Sequence, residues 1–89
     1  MSQAVGDPEE LERFAQALSH FIDTLTEAVG ALDQEFNALG DTWQDQKRAQ
    51  FEDKYSELLA QVSAFQENAS EQIPYLLALA ARLRDYLQS

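Results

Sequence analysis

Leu39-Gly40-Asp41-Thr42-Trp43-Gln44-Asp45 is the stretch that decides how this chain folds. Long apolar-periodic segments run away from it in both directions, and nothing else in mid-chain interrupts them as strongly. Gly40 suits the left-handed position that closes a helix. Asp41 or Thr42 can cap the next helix, with Gln44 or Asp45 three residues on completing a capping box. The spacing therefore predicts a helix over 8–39, a turn at 40–42 and a second helix over 43–88, all in a single domain spanning 1–89. A turn that short forces the helices to lie antiparallel as neighbours.

Upstream, Asp7-Pro8-Glu9-Glu10 supplies an N-cap acceptor, a proline at the first helical position and acids that suit the helix dipole. Leu11, Leu18, Leu25, Leu32 and Leu39 then recur every seven residues, with Phe14, Phe21 and Ala28 as the other half of a heptad seam. A third row, Ala15, Ile22, Val29 and Phe36, makes the stripe too wide for one neighbour, as in a helical bundle. Glu35 falls where the seam wants an apolar side chain, and Phe36 beside it takes that place.

Downstream, Phe51, Tyr55, Leu58, Val62, Phe65 and Ala69 alternate in steps of four and three. Pro74 then removes a backbone donor and crowds the carbonyl of Ser70, at a cost of about 3 kcal/mol. The register slips from Gln72 to Ile73, and Leu76, Ala80, Leu83 and Leu87 rebuild the face, which predicts a kink or short break there. At roughly 1.5 Å per residue, a helix from 42 to 88 outruns one from 8 to 39 by about 22 Å. Leu76, Leu77, Leu79, Leu83 and Leu87 in that overhang are expected to lack an intrachain partner. Two helices cannot enclose a core, so dimerisation into a four-helix bundle is expected. The helix-packing and dimer seam is assigned to Leu11, Phe14, Leu18, Phe21, Leu25, Leu32, Tyr55, Leu58, Val62, Phe65, Leu76 and Leu83.

Composition narrows the function. With 89 residues there is room for one domain. Sixteen acids against six bases give a formal charge of −10, which disfavours nucleic acid and anionic membrane surfaces. The acids are concentrated: residues 1–46 hold ten acids and one base, residues 47–89 six and five. The absence of cysteine removes disulfides, thiolate metal sites and thiol nucleophiles. No apolar run is long enough to span a bilayer, and Met1–Asp7 lacks the pattern of a cleavable secretory signal.

Catalysis has little material to work with. Ser19, His20 and Asp23 suggest a triad, yet adjacent helical residues diverge by about 100°, and His20 falls on a solvent-facing heptad position. The acid groups Glu9, Glu10, Glu12 and Glu52, Asp53, Glu57 lack histidine partners and loop geometry, so they read as solvated faces. Neither an enzyme nor a cofactor or metal site is expected. Trp43, the sole tryptophan, reads either as a cap over the open end of the hairpin or as an exposed binding anchor.

With Trp43-Gln44-Asp45 at mid-chain between two long amphipathic helices, and Phe51 eight residues after the tryptophan, the chain resembles the WXG-100 superfamily. These are small helical hairpins of the early-secreted-antigen type, exported by bacterial type VII secretion systems. Trp43, Asp45 and Phe51 correspond to that family's turn motif, with Asp45 standing where its glycine does. The family's frequent export pattern, tyrosine followed four residues later by an acid, is missing: Leu79 follows Tyr75, and Tyr86 would need an acid at position 90. A W-x-D turn followed by bases, here Lys47 and Arg48, is similar to a subset of such hairpins in bacteria without a clear type VII system.

The resemblance implies a non-enzymatic, homodimeric protein-binding hairpin: a type VII secreted factor or secretion partner, made in the cytoplasm and exported without a cleaved signal peptide. The alternative is a cytosolic structural adaptor completing a bundle with a larger partner or a neighbouring-gene homologue.

Overall fold

A computed structural model describes residues 6–88 as two helices, α1 over Pro8–Leu39 and α2 over Gln46–Gln88. Residues 1–5, which carry most of the stretch read for a signal peptide, and residue 89 lie outside the described residues. The helices form one antiparallel hairpin, 67 × 19 × 17 Å. Its long dimension is that of α2, since 43 residues of helix extend about 64 Å.

α1 starts where the sequence places it. The Asp7 carboxylate accepts from the Glu9 backbone N–H at 2.9 Å, and Pro8 follows at the first helical position. At the other end, two details of the expected turn are corrected. Gly40 is right-handed (φ −61°, ψ −21°), so the chain leaves α1 without a left-handed residue. Gly40, Asp41 and Thr42 donate three residues back, and Trp43 donates to the Leu39 carbonyl at 2.7 Å. A glycine is suited here because a methyl group at position 40 would stand 3.0 Å from Arg48 Nη1.

The second correction moves the start of α2 from 43 to Gln46. The cap is Asp45, not Asp41 or Thr42: its Oδ1 accepts from the backbone N–H of Lys47 at 3.0 Å and of Arg48 at 3.1 Å. Those are orphan donors of the first turn, and only Asp45 is placed to take both. Pro74 lies inside α2, which runs on through it, so there is no break and no third helix.

The expected overhang is overturned in part: Leu76, Leu79 and Leu83 are half-buried, while Leu77 and Leu87 stay 44% and 49% exposed. α2 is only about 16 Å longer than α1. Its last turns lie beside the start of α1: Arg84 binds Glu12, and Leu83 Cδ2 stands 3.8 Å from where a side chain at Gly6 would begin. The longer connection shifts α2 along α1, and Gly6 lies beside Leu83.

Packing between the helices is thin. Pro8, Ala15, Tyr55, Ala69 and Ala80 are the buried residues of the two helices. Three are alanines, which let the backbones approach closely but contribute little apolar area.

Candidate docking face

The hinge is built from its turn motif. Asp45 Oδ1, already capping α2, also accepts from the Trp43 indole Nε1–H at 3.0 Å. The half-buried Trp43 ring leans toward Phe51, centroids 5.9 Å apart. Phe51 lies 6.0 Å from Phe36, and Phe36 stacks on Tyr55 at 4.3 Å. The Arg48 guanidinium sits over Phe36 at 5.3 Å and pairs with Glu52. Trp43, Asp45 and Phe51 are thus brought together. Arg48, Phe36 and Asp33 belong to the same assembly; sequence reading had Phe36 as a packing residue and Arg48 as a base after the turn, and missed Asp33 and the Arg48–Glu52 pair, whose signal was the four-residue spacing.

Tyr55 anchors this end. Its hydroxyl donates to Asp33 Oδ1 at 3.1 Å across the helices. Burial, then that hydrogen bond to a carboxylate, pushes the phenol above its ordinary range. At the free end, Arg84 forks onto Glu12, with Nη1–Oε2 at 2.7 Å and Nη2–Oε1 at 3.2 Å. The bond to Arg84 holds the Glu12 carboxyl below its usual range.

The seam residues divide into two sets. Leu11, Leu18, Leu25, Val62, Leu76 and Leu83 are half-buried and Tyr55 is buried. Phe14, Phe21, Leu32, Leu58 and Phe65 are each 46–60% exposed. The third row packs inward beside Leu11, Leu18 and Leu25, with Ala15 buried and Ile22, Val29 and Phe36 half-buried.

The exposed set shares one face. At about 100° per residue, Phe14, Phe21, Leu32 and Leu39 fall within about 20° of one another on α1, and Phe51, Leu58 and Phe65 within about 40° on α2. The edge-to-face contact of Phe21 with Phe65, centroids 6.1 Å apart, bridges the two rows. Near the hinge the face opens into a hollow of about 430 Å³ walled by Leu32, Phe36, Leu39, Phe51, Tyr55 and Leu58, with Glu35 at its rim. The opposite groove is polar: Gln66 donates to Thr26 there, with Ser63, Glu67, Ser70 and Glu71 alongside.

His20 is exposed, and among the described residues no group of three or more potential metal ligands converges. No helix among them is long and apolar enough to cross a membrane.

A two-helix hairpin closed by a tryptophan turn defines a class of small all-helical proteins. The chain belongs to the WXG100 family, proteins of 100 residues with WXG, whose family model matches residues 6–86. Members of that family are generally non-enzymatic helical hairpins of the secreted type, and they usually form dimers. No curated protein and no solved structure matches the chain.

Proposed function

We propose that the chain is a homodimeric protein-binding hairpin, two copies meeting through the apolar face as a four-helix bundle, and that it serves a type VII system as secreted factor or secretion partner. The observation carrying this is the alignment of Phe14, Phe21, Leu32, Leu39, Phe51, Leu58 and Phe65, each at least 39% exposed, on one side of the hairpin. The hairpin outline exceeds the roughly 800 Å² per partner that a stable interface buries. The polar groove opposite favours one such partner rather than an open-ended stack. A bend of α2 at Pro74 belongs to this proposal, because the ring leaves the Ser70 carbonyl without its helical donor. Neither nucleic acid nor membrane insertion enters the reading, since a pair of chains carries twice the −10 of one.

Sedimentation equilibrium of the purified chain tests self-association: a dimer at micromolar concentration is expected, and a monomer overturns it. Deleting the secretion ATPase in the source bacterium tests export, with loss of the chain from the culture medium as the expected result.

Leu79, standing where an acid would complete the tyrosine export pattern after Tyr75, favours a second reading: a cytosolic adaptor whose apolar face is covered by a larger protein or by a homologous hairpin. A chain that is monomeric alone but forms a stoichiometric complex with a neighbouring gene product selects that reading.

A further inference from the structure

The two helices are tied at successive levels along the hairpin. Tyr55 donates to Asp33 near the hinge, Gln66 to Thr26 at mid-length and Arg84 to Glu12 at the free end. Interpolating between the last two ties sets Ala15 of α1 level with Ala80 of α2. Pro74, the one proline of α2, falls between the same two ties. Its ring deprives the Ser70 carbonyl of a helical donor, and both residues are exposed, so water can satisfy that carbonyl as the helix flexes.

The two sides of Pro74 are held differently. Before it, Phe36 stacks on Tyr55 at 4.3 Å and Phe21 meets Phe65 edge to face at 6.1 Å. After it, Ala80 is buried and Leu76, Leu79 and Leu83 are half-buried. An apolar hollow of about 400 Å³, lined by Leu11, Leu79, Leu83 and Tyr86, opens beside them, so these leucines lack packing partners on one side. The Arg84 fork on Glu12 ties this stretch to α1, and Glu9 and Asp7 add their attraction to the same guanidinium.

We propose that, beyond a fixed bend at Pro74, α2 from Tyr75 onward is a pivoting strap. It swings at Pro74 as one helical unit, with the Glu12–Arg84 fork as its latch. Release uncovers Leu11 and Ala15 of α1 while the hairpin from the turn to Ser70 stays closed. The strap carries Leu76, Leu79 and Leu83 with it, since steps of three and four keep them on one stripe of the helix. The free end is thus a gate over apolar surface that the closed hairpin shelters. The device belongs to a single chain, so it stands or falls apart from self-association.

Amide exchange of the full chain, followed residue by residue and corrected for intrinsic rates, tests the strap. Residues 78–83 are expected to share one protection factor, at least about tenfold below that of residues 55–66, with the step at Pro74. Protection that falls gradually toward Gln88 is end fraying and overturns the strap, as does equal protection on the two sides. Pro74→Ala restores the Ser70 bond and is expected to raise protection of residues 78–83 by about tenfold or more, erasing the step. Arg84→Met keeps an apolar stem but removes the latch, and is expected to lower that protection about fivefold with residues 55–66 unchanged. A step that survives Pro74→Ala, or an Arg84→Met loss spread equally over both sides, also overturns the proposal.

Discussion

Trp43 and Asp45 lock each other: the indole N–H donates to the carboxylate oxygen at 3.0 Å that also caps α2. An acid at the third position of the turn motif therefore has a defined task. It satisfies two orphan backbone donors and fixes the tryptophan ring against Phe51. The cap and anchor readings of Trp43 meet here, because its polar atom is engaged while the ring remains half-exposed.

Asp45→Ala is expected to lower stability by about 1 kcal/mol through loss of the cap. Asp45→Gly, which restores the W-x-G pattern, is expected to cost only a few tenths of that relative to the aspartate while still releasing the indole. Urea titration measures the first effect. The Trp43 indole proton resonance, shifting in both variants, reports the second.

Tyr55→Phe removes the hydroxyl from Asp33 and leaves the ring stack on Phe36 in place. A loss of about 1 kcal/mol is expected, with the helix content of the folded state unchanged. Phe36→Ala removes the stack itself and is expected to cost about 2–4 kcal/mol, the ring being half-buried. Equal losses for the two variants would contradict this placement.

The Glu12–Arg84 fork predicts an acid-sensitive free end. Glu12 titrates below its ordinary 4.5 when folded. A depressed carboxylate contributes stability that is present above the ordinary value and is lost as pH falls through the folded one. Amide protection in the last turns of α2, corrected for the intrinsic exchange rate, is therefore expected to differ with pH, falling below the folded value of Glu12. Arg84→Ala is expected to abolish that difference.

Leu25→Asp and Phe65→Asp separate folding from association. Leu25 is half-buried between the helices, and a charge there is expected to unfold the hairpin. Phe65 is 46% exposed within one chain, so Phe65→Asp is expected to dissociate the dimer yet keep its helical circular dichroism. If Phe65→Asp unfolds the isolated chain, the outward placement of this row is wrong.

Gly40→Ala is expected to displace the Arg48 guanidinium from Phe36, since the new methyl would stand 3.0 Å from its terminal nitrogen. The arginine end is flexible but the Asn37 carbonyl, 3.1 Å from the new methyl, is backbone, so a cost of about 1 kcal/mol is expected. The Glu52 pairing is lost with it, which makes the melt less salt-dependent.

Local chemistry made much of this legible. Asp7-Pro8 marks the start of α1 because capping is a matter of a few consecutive residues, and the fold class follows from two long apolar periodicities around one break. Trp43, Asp45 and Phe51 were grouped by the resemblance of the turn to a family motif, and the structure brings them together. The start of α2 was misplaced because Asp41, Thr42 and Asp45 are all competent caps, and the three-residue-back bonds after Leu39 carry the turn further before one is used. Gly40 was misjudged because it stays right-handed, and what stands close to it is the Arg48 guanidinium, eight residues away, together with the Asn37 carbonyl.

By itself, then, the amino-acid order determined two amphipathic helices, a break between them and an antiparallel hairpin, since each depends on near neighbours in the chain. Which of three apolar rows on α1 turns inward was decided only in three dimensions. The buried positions Ala15 and Ala80 let the backbones come close, and that contact rotates Phe14, Phe21 and Leu32 outward. The slide of α2 that brings Arg84 to Glu12 is also tertiary, because it sums the length of the connection and the packing of every turn after it. Periodicity reports that a residue is on a stripe; only the distance between helix axes sets which edge of the stripe meets water.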